Sequence, residues 1–157
     1  MIPAWLIIAV VALLVGIALN RLAPTDFRWF NRQRRPSWLT FEWAIPWIWI
    51  TIFICAAWSA YGVWQTEPGT AKTWAIMAGY LVLEILILAY TPVMTRLRSL
   101  NIGTVIGAIG FFWGVFLVIF VFPVNKSSGL LLLPYLLWSP IGTYVTWVMG
   151  KLNPTAR

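Results

Sequence analysis

The sequence predicts an all-α membrane protein, one domain over residues 1–157 folded as a five-transmembrane-helix bundle. Hydrophobic residues make up 61% of the chain and charged residues only 10%, against about 25% charged in ordinary soluble domains. Five apolar stretches, roughly 3–20, 43–64, 73–94, 102–122 and 129–149, are each long enough to cross about 30 Å of hydrocarbon at about 1.5 Å per residue. Glu84 is the single charged residue inside any of them. The rest of the charge gathers in the short connections.

The first stretch has neither a positively charged leader nor an A-x-A cleavage site, so it reads as a retained helix rather than a signal peptide. The connection after it holds RWFNRQRRPSW at 28–38, four arginines and three aromatics in eleven residues. Basic residues interleaved with aromatics suit nucleic acid or a membrane edge, and the placement of the spans decides between them. Segments 21–42, 95–101 and 150–157 share one side and carry Arg21, Arg28, Arg32, Arg34, Arg35, Arg96, Arg98, Lys151 and Arg157, nine of the eleven basic residues. Lys72 and Lys126 alone fall on the other side. This positive-inside bias predicts a multi-pass protein with a cytoplasmic C-terminus and the N-terminus opposite. The loop arginines then set orientation, with Trp29, Phe30 and Trp38 at the interface of the lipid bilayer, and no nucleic acid is expected as a partner. A further role for these arginines, in gripping an anionic head group or carboxylate, stays open.

On the second helix, Trp49, Phe53, Ala56, Ala60 and Trp64 form one stripe at 100° per residue, and Trp43, Trp47, Ile50, Ile54, Trp58 and Tyr61 lie roughly opposite. The mixture of large rings and alanines fits a cavity wall, and it fits ordinary packing equally. Pro46 falls in the first turn, where a missing N–H costs little. On the third helix Thr73, Tyr80, Glu84 and Thr91 fall within about 40° of one another. An acidic residue at mid-membrane costs about 2.5–3.5 kcal/mol to insert, so this stripe should face the bundle or a wet cavity. Glu84 fits a structural hydrogen-bonded clip, a ligand contact or a role in proton coupling.

The fourth helix places Gly103, Gly107, Gly110 and Gly114 on one face, spaced to let backbones approach closely within the chain or across a dimer. On the fifth, Pro140 removes the hydrogen bond to the Leu136 carbonyl and predicts a kink. Trp138, Gly142, Val145 and Met149 share a face there; Ser139, Thr143 and Thr146 share another, suited to interhelical hydrogen bonds. The chain contains no histidine and one cysteine, Cys55. Those counts exclude an intrachain disulfide, a thiolate metal cluster and every His-based dyad, so no metal, cofactor or catalytic residue is expected.

The motifs together resemble the translocator protein family, also called TspO/MBR or the peripheral benzodiazepine receptor family. RWFNRQRRPSW followed by WAIPWIW is similar to the family's first loop and second-helix entry. YTPVM at 90–94 is similar to the motif ending its third helix, and PYLLW at 134–138, with LN at 152–153, to its fifth. The resemblance implies a five-helix bundle, commonly a homodimer, with a ligand cavity closed by the first loop, which makes Arg32, Arg34, Arg35 and Trp38 the candidate lid residues. It implies porphyrins and other tetrapyrroles, sterols and synthetic aromatic compounds as ligands. Carried over by position, Trp49 and Trp138 match the tryptophans that approach the ligand, Phe53 an aromatic pocket residue, Gly142 a small wall residue, and Ile45 and Val145 apolar lining. Tyr90 opens the third-helix motif.

Some positions depart from the family pattern. WLTF at 38–41 replaces a W-x-P-P signature in the loop, and Ile87 and Leu83 stand where the family has Asn and Gln. Glu84, one turn before Ile87, is the candidate replacement for that polar contact. Trp147 stands where the sterol pattern has tyrosine, so sterol-like ligands lose support. The expected function is a binding protein or carrier for a flat hydrophobic molecule, foremost a porphyrin. Without histidine to ligate haem iron, metal-free porphyrins and their carboxylates suit it better. Two alternatives remain at this stage: oxidative or light-driven porphyrin breakdown, and an assembly role in which the glycine stripe binds another membrane protein.

Overall fold

A computed structural model describes residues 3–22 and 24–156, and Arg157 of the basic set lies outside them. The chain runs α1 (Ala4–Leu22), α2 (Phe27–Asn31), α3 (Ile45–Thr66), α4 (Ala71–Arg96), α5 (Leu100–Val121), α6 (Lys126–Leu131) and α7 (Leu133–Leu152). Single 3-10 turns at Glu42–Ala44 and Pro154–Ala156 flank α3 and α7. No strand occurs among the described residues. Five segments are long and apolar enough to cross a membrane: α1, the 3-10 turn with α3, α4, α5, and α6 with α7.

The helix boundaries follow local chemistry. Thr70, Ser99 and Asn125 cap α4, α5 and α6, each side-chain oxygen accepting the N–H of the residue three positions on. Between α3 and α4 the turn needs a left-handed residue, supplied by Gly69 at φ 76°. The expected helices over 43–64, 73–94 and 102–122 extend or shift by about one turn or less, as frayed ends do. Two differences are larger. The stretch read as one helix from 129 begins at Lys126 and breaks at Leu132, because Pro134 has no N–H to offer the Leu130 carbonyl. Pro92 does not end α4; the helix continues to Arg96, and the Pro92 carbonyl accepts from Thr95 Oγ1 at 3.1 Å.

The lipid-facing stripe of α3 is the one with Trp43, Trp47, Ile50, Ile54 and Trp58 exposed, while Ala60 is buried and Trp49, Phe53 and Ala56 are half-buried. α5 packs most extensively on α7 and α4, and its glycines are why it can. A Cβ at Gly103 would run into Met94, one at Gly107 into Thr143, and one at Gly114 would lie 2.6 Å from the Tyr135 ring. The stripe is thus filled by the chain's own α4 and α7. Association with a second copy or another membrane protein must use a different face. Trp113 on α5 adds a tie, its indole N–H donating to the Gly79 carbonyl at 2.9 Å.

The first loop is part of the packed structure. Asp26 caps α2 by accepting from the Trp29 amide at 3.0 Å, and its own N–H donates to Thr95 Oγ1 at 3.2 Å. Arg96 reaches the α1 terminus, donating to the Leu22 carbonyl at 2.7 Å. Asn153, just beyond α7, accepts from the Arg34 amide and donates to the Arg34 carbonyl, both at 2.9 Å. Trp29, Phe30 and Leu39 pack against a small core of Met94, Leu100, Val145, Met149 and Ala156.

Two outcomes follow. Gly114→Ala forces Tyr135 aside and should cost about 1–3 kcal/mol, read as a lower thermal midpoint in detergent, whereas Phe112→Ala on the exposed face should leave the midpoint unchanged. Asn153→Ala removes the two-way clamp on Arg34 and should raise amide exchange across 32–41 while α3–α5 stay protected.

Candidate ligand-binding site

A cavity of about 650 Å³ opens between the first loop and helices α1, α3, α4, α5 and α7. At the loop end its wall is polar, with Asn20, Asn31, Arg35 and Glu42. Ile45 opens α3 there, and Phe53 lies about 12 Å further along the helix at 1.5 Å per residue. The deeper wall is mostly apolar, with Phe53, Leu86, Ile87 and Ile106, and there Thr143 and Tyr135 lie against the α5 backbone at Gly107 and Gly110. Small residues on α5 and α7 therefore have two uses. They admit close contact at Gly107, Gly110 and Gly114, where Thr143 and Tyr135 cover the backbone, and they leave room at Gly142, where a Cβ would meet nothing nearer than 3.9 Å.

The aromatic residues of the wall are held in place. Trp49 and Phe53 lie one turn apart on α3 with ring centroids 6.1 Å apart. Trp138 is buried, and Phe41 meets it edge-on at 6.4 Å. Its indole Nε1 is fully shielded and finds no acceptor among the described residues. A buried donor without an acceptor costs about 1–3 kcal/mol.

Two sets of polar groups in the spans satisfy each other. Tyr90 and Thr146 share a hydrogen bond, and Thr146 Oγ1 donates onward to the Gly142 carbonyl at 3.2 Å. Outside the cavity, Tyr80 hydrogen-bonds Ser59, whose hydroxyl donates to the Ser128 carbonyl at 2.6 Å.

Of the residues singled out from sequence, Ile45, Trp49, Phe53, Ile87, Tyr90, Trp138, Gly142, Val145 and Arg35 converge on this one cavity. Four do not line it. Glu84 is half-buried on α4, on the face carried by Tyr80 and Leu88, with no hydrogen bond or ion pair to a described residue. Arg32 and Arg34 belong to the loop but not to the wall, and Trp38 stacks outside on Tyr144 of α7 at 6.0 Å. Within the expected polar stripe of α4, Thr91 lines the cavity, while Thr73 donates to the Glu67 carbonyl near the opposite end.

Several wall residues were not anticipated. Glu42 carries no motif signal, since its contribution depends on the loop folding back to bring Arg35 beside it. Tyr135 sits within PYLLW, but its position across Gly110 and Gly114 needs the register of α5 on α7. Asn20 and Gly16 come from α1, whose uniformly apolar sequence hides which face turns inward.

Known proteins match this chain over most of its length. The model of the TspO/MBR family matches residues 4–152. The Tryptophan-rich protein TspO of Bacillus cereus is 27% identical over 132 residues, covering 84% of this chain and 85% of that one. Translocator protein 2 of Mus musculus is 26% identical over 136 residues, covering 78% of each. The Tryptophan-rich sensory protein of Cereibacter sphaeroides is 24% identical over 132 residues, covering 82% and 81%. With five membrane-length helices in one bundle and a family match spanning nearly all of them, this chain is an integral, multi-pass membrane protein that belongs to the TspO/MBR family.

Proposed function

We propose that the protein binds a flat, hydrophobic molecule in the cavity beneath the first loop, with porphyrins and related tetrapyrroles as the favoured class, and that it acts as a binding protein or carrier for them. The observation that carries this is the cavity itself, polar at the loop end and mostly apolar deeper, with Trp49, Phe53 and Trp138 in its wall. An apolar pocket of several hundred Å³ with a few placed polar groups is the usual form of a small-molecule site. Ring stacking on Trp49 and Trp138 would supply affinity, and an acceptor facing Trp138 Nε1 would fix orientation. Family membership supports the same class.

The chain's orientation is part of the proposal. The basic connections gather at the end of the bundle that carries the loop and the end of α7, so the cavity mouth would face the cytoplasm.

Protoporphyrin IX titrated into detergent-solubilised protein should bind saturably. Trp49→Ala should weaken it about tenfold, equivalent to about 1.4 kcal/mol. Trp138→Phe keeps a ring and deletes the donor: affinity should fall by a similar factor, while the ligand-free thermal midpoint stays at or above that of the parent. Equal, unsaturable quenching in every variant would mean partition into the micelle and would remove the proposal.

Orientation is checked with Cys55→Ala as background. In intact cells an impermeant thiol reagent should label Ser127→Cys on the exposed side of α6 and spare Leu97→Cys, with the reverse in inverted membranes.

A further inference from the structure

Arg35 and Glu42 are the only charged side chains among the described residues of the cavity wall. They face each other, Arg35 Nε to Glu42 Oε1 at 2.6 Å. The other contacts of the guanidinium are weak: Nη1 to the Gln33 carbonyl at 3.4 Å, Nη2 to Asn31 Oδ1 at 3.3 Å, and the Phe30 ring 5.2 Å away. Charge neutralisation at Arg35 therefore rests on one carboxylate, supplied by the turn that opens α3.

The neighbouring cations are engaged elsewhere or lie off the wall. Arg98 faces Asp26 at 3.9 Å, Arg96 donates to the Leu22 carbonyl, and Arg34 is held through its backbone by Asn153. The Arg35 side chain is 26% exposed and that of Glu42 42%, so Glu42 can swing into water without leaving a buried charge. An ion pair with this much exposure is weak enough to exchange. A guanidinium also accepts a carboxylate in a two-point geometry that the single Nε contact leaves unused.

We propose that Glu42 holds the place of a ligand carboxylate, and that Arg35 selects acidic over neutral ligands by exchanging Glu42 for that carboxylate. The inference rests on the cavity being the ligand site. It assigns to one arginine of the four in RWFNRQRRPSW the role of reading the ligand's charge. The pair joins the loop to α3, so exchange also replaces a protein contact across the mouth with one made through the ligand.

The test compares a porphyrin dicarboxylate with its dimethyl ester on the full chain in detergent. Glu42→Gln removes the internal competitor and should tighten the acid about fivefold, the effect of losing one half-exposed ion pair. Arg35→Gln should weaken the acid by about tenfold, the scale of one charge-assisted hydrogen bond. The readout is the acid relative to the ester, which shares any effect on loop closure; the ratio should move in opposite directions for the two changes, and retained ester binding also reports that each variant is folded. Parallel changes for acid and ester would overturn the inference, because the pair would then act only on closure of the loop. Saturable binding of both probes with no response of the acid to either change would overturn it as well, leaving the cavity site intact. Unsaturable uptake of both by the unaltered protein would remove the site itself, and the inference with it.

Discussion

Close approach of α5 to α4 and α7 is the contact on which the rest of the bundle depends. In hydrocarbon, helices gain nothing from excluding water between them, and what holds them is van der Waals packing at short range with hydrogen bonds between polar groups. Glycines at 103, 107, 110 and 114 provide the short range, and Met94, Thr143, Thr146 and Tyr135 fill the space thus opened. Because α5 is fixed in this way, α4 and α7 are held at a defined separation. The gap that α1 and α3 then fail to fill becomes the cavity.

Polar groups in the spans divide by the same logic. Ser59, Tyr80 and the Ser128 carbonyl form a closed chain of donors and acceptors joining α3, α4 and α6, and Tyr90, Thr146 and the Gly142 carbonyl form another joining α4 and α7. Each removes the penalty of a bare polar group in an apolar medium. Trp138 Nε1 and the Glu84 carboxyl stand outside this scheme.

The loop is built as a fixed cover rather than a tether. Asp26 and Arg96 fasten its start to the end of α4, Asn153 fastens its middle to the end of α7, and the Arg35–Glu42 pair closes it onto α3. These attachments draw on hydrogen bonds and ion pairs in a polar setting, which are individually weaker than helix packing in the bundle. The cover is therefore the part of the structure that opens at lower cost than the packed helices.

The sequence by itself determined the elements and the environment. Span length and the near absence of charge set five membrane helices, and the period of the α3 rings separated Trp43, Trp47 and Trp58 from Trp49 and Phe53. Resemblance to a known family named Trp49 and Trp138 as wall residues, and the stripe at 138, 142, 145 and 149 agrees with it. Such features are local: they depend on composition or on positions a few residues apart along one helix. The register between helices is not local, and only the tertiary structure decided it. That register turned the glycine stripe inward, laid Tyr135 across it, left Glu84 outside the wall, and brought Glu42 beside Arg35. The physical reason is that a uniformly apolar helix surface permits many rotations at similar cost. Which one is adopted follows from the fit of side chains on neighbouring helices, and no helix carries that information alone.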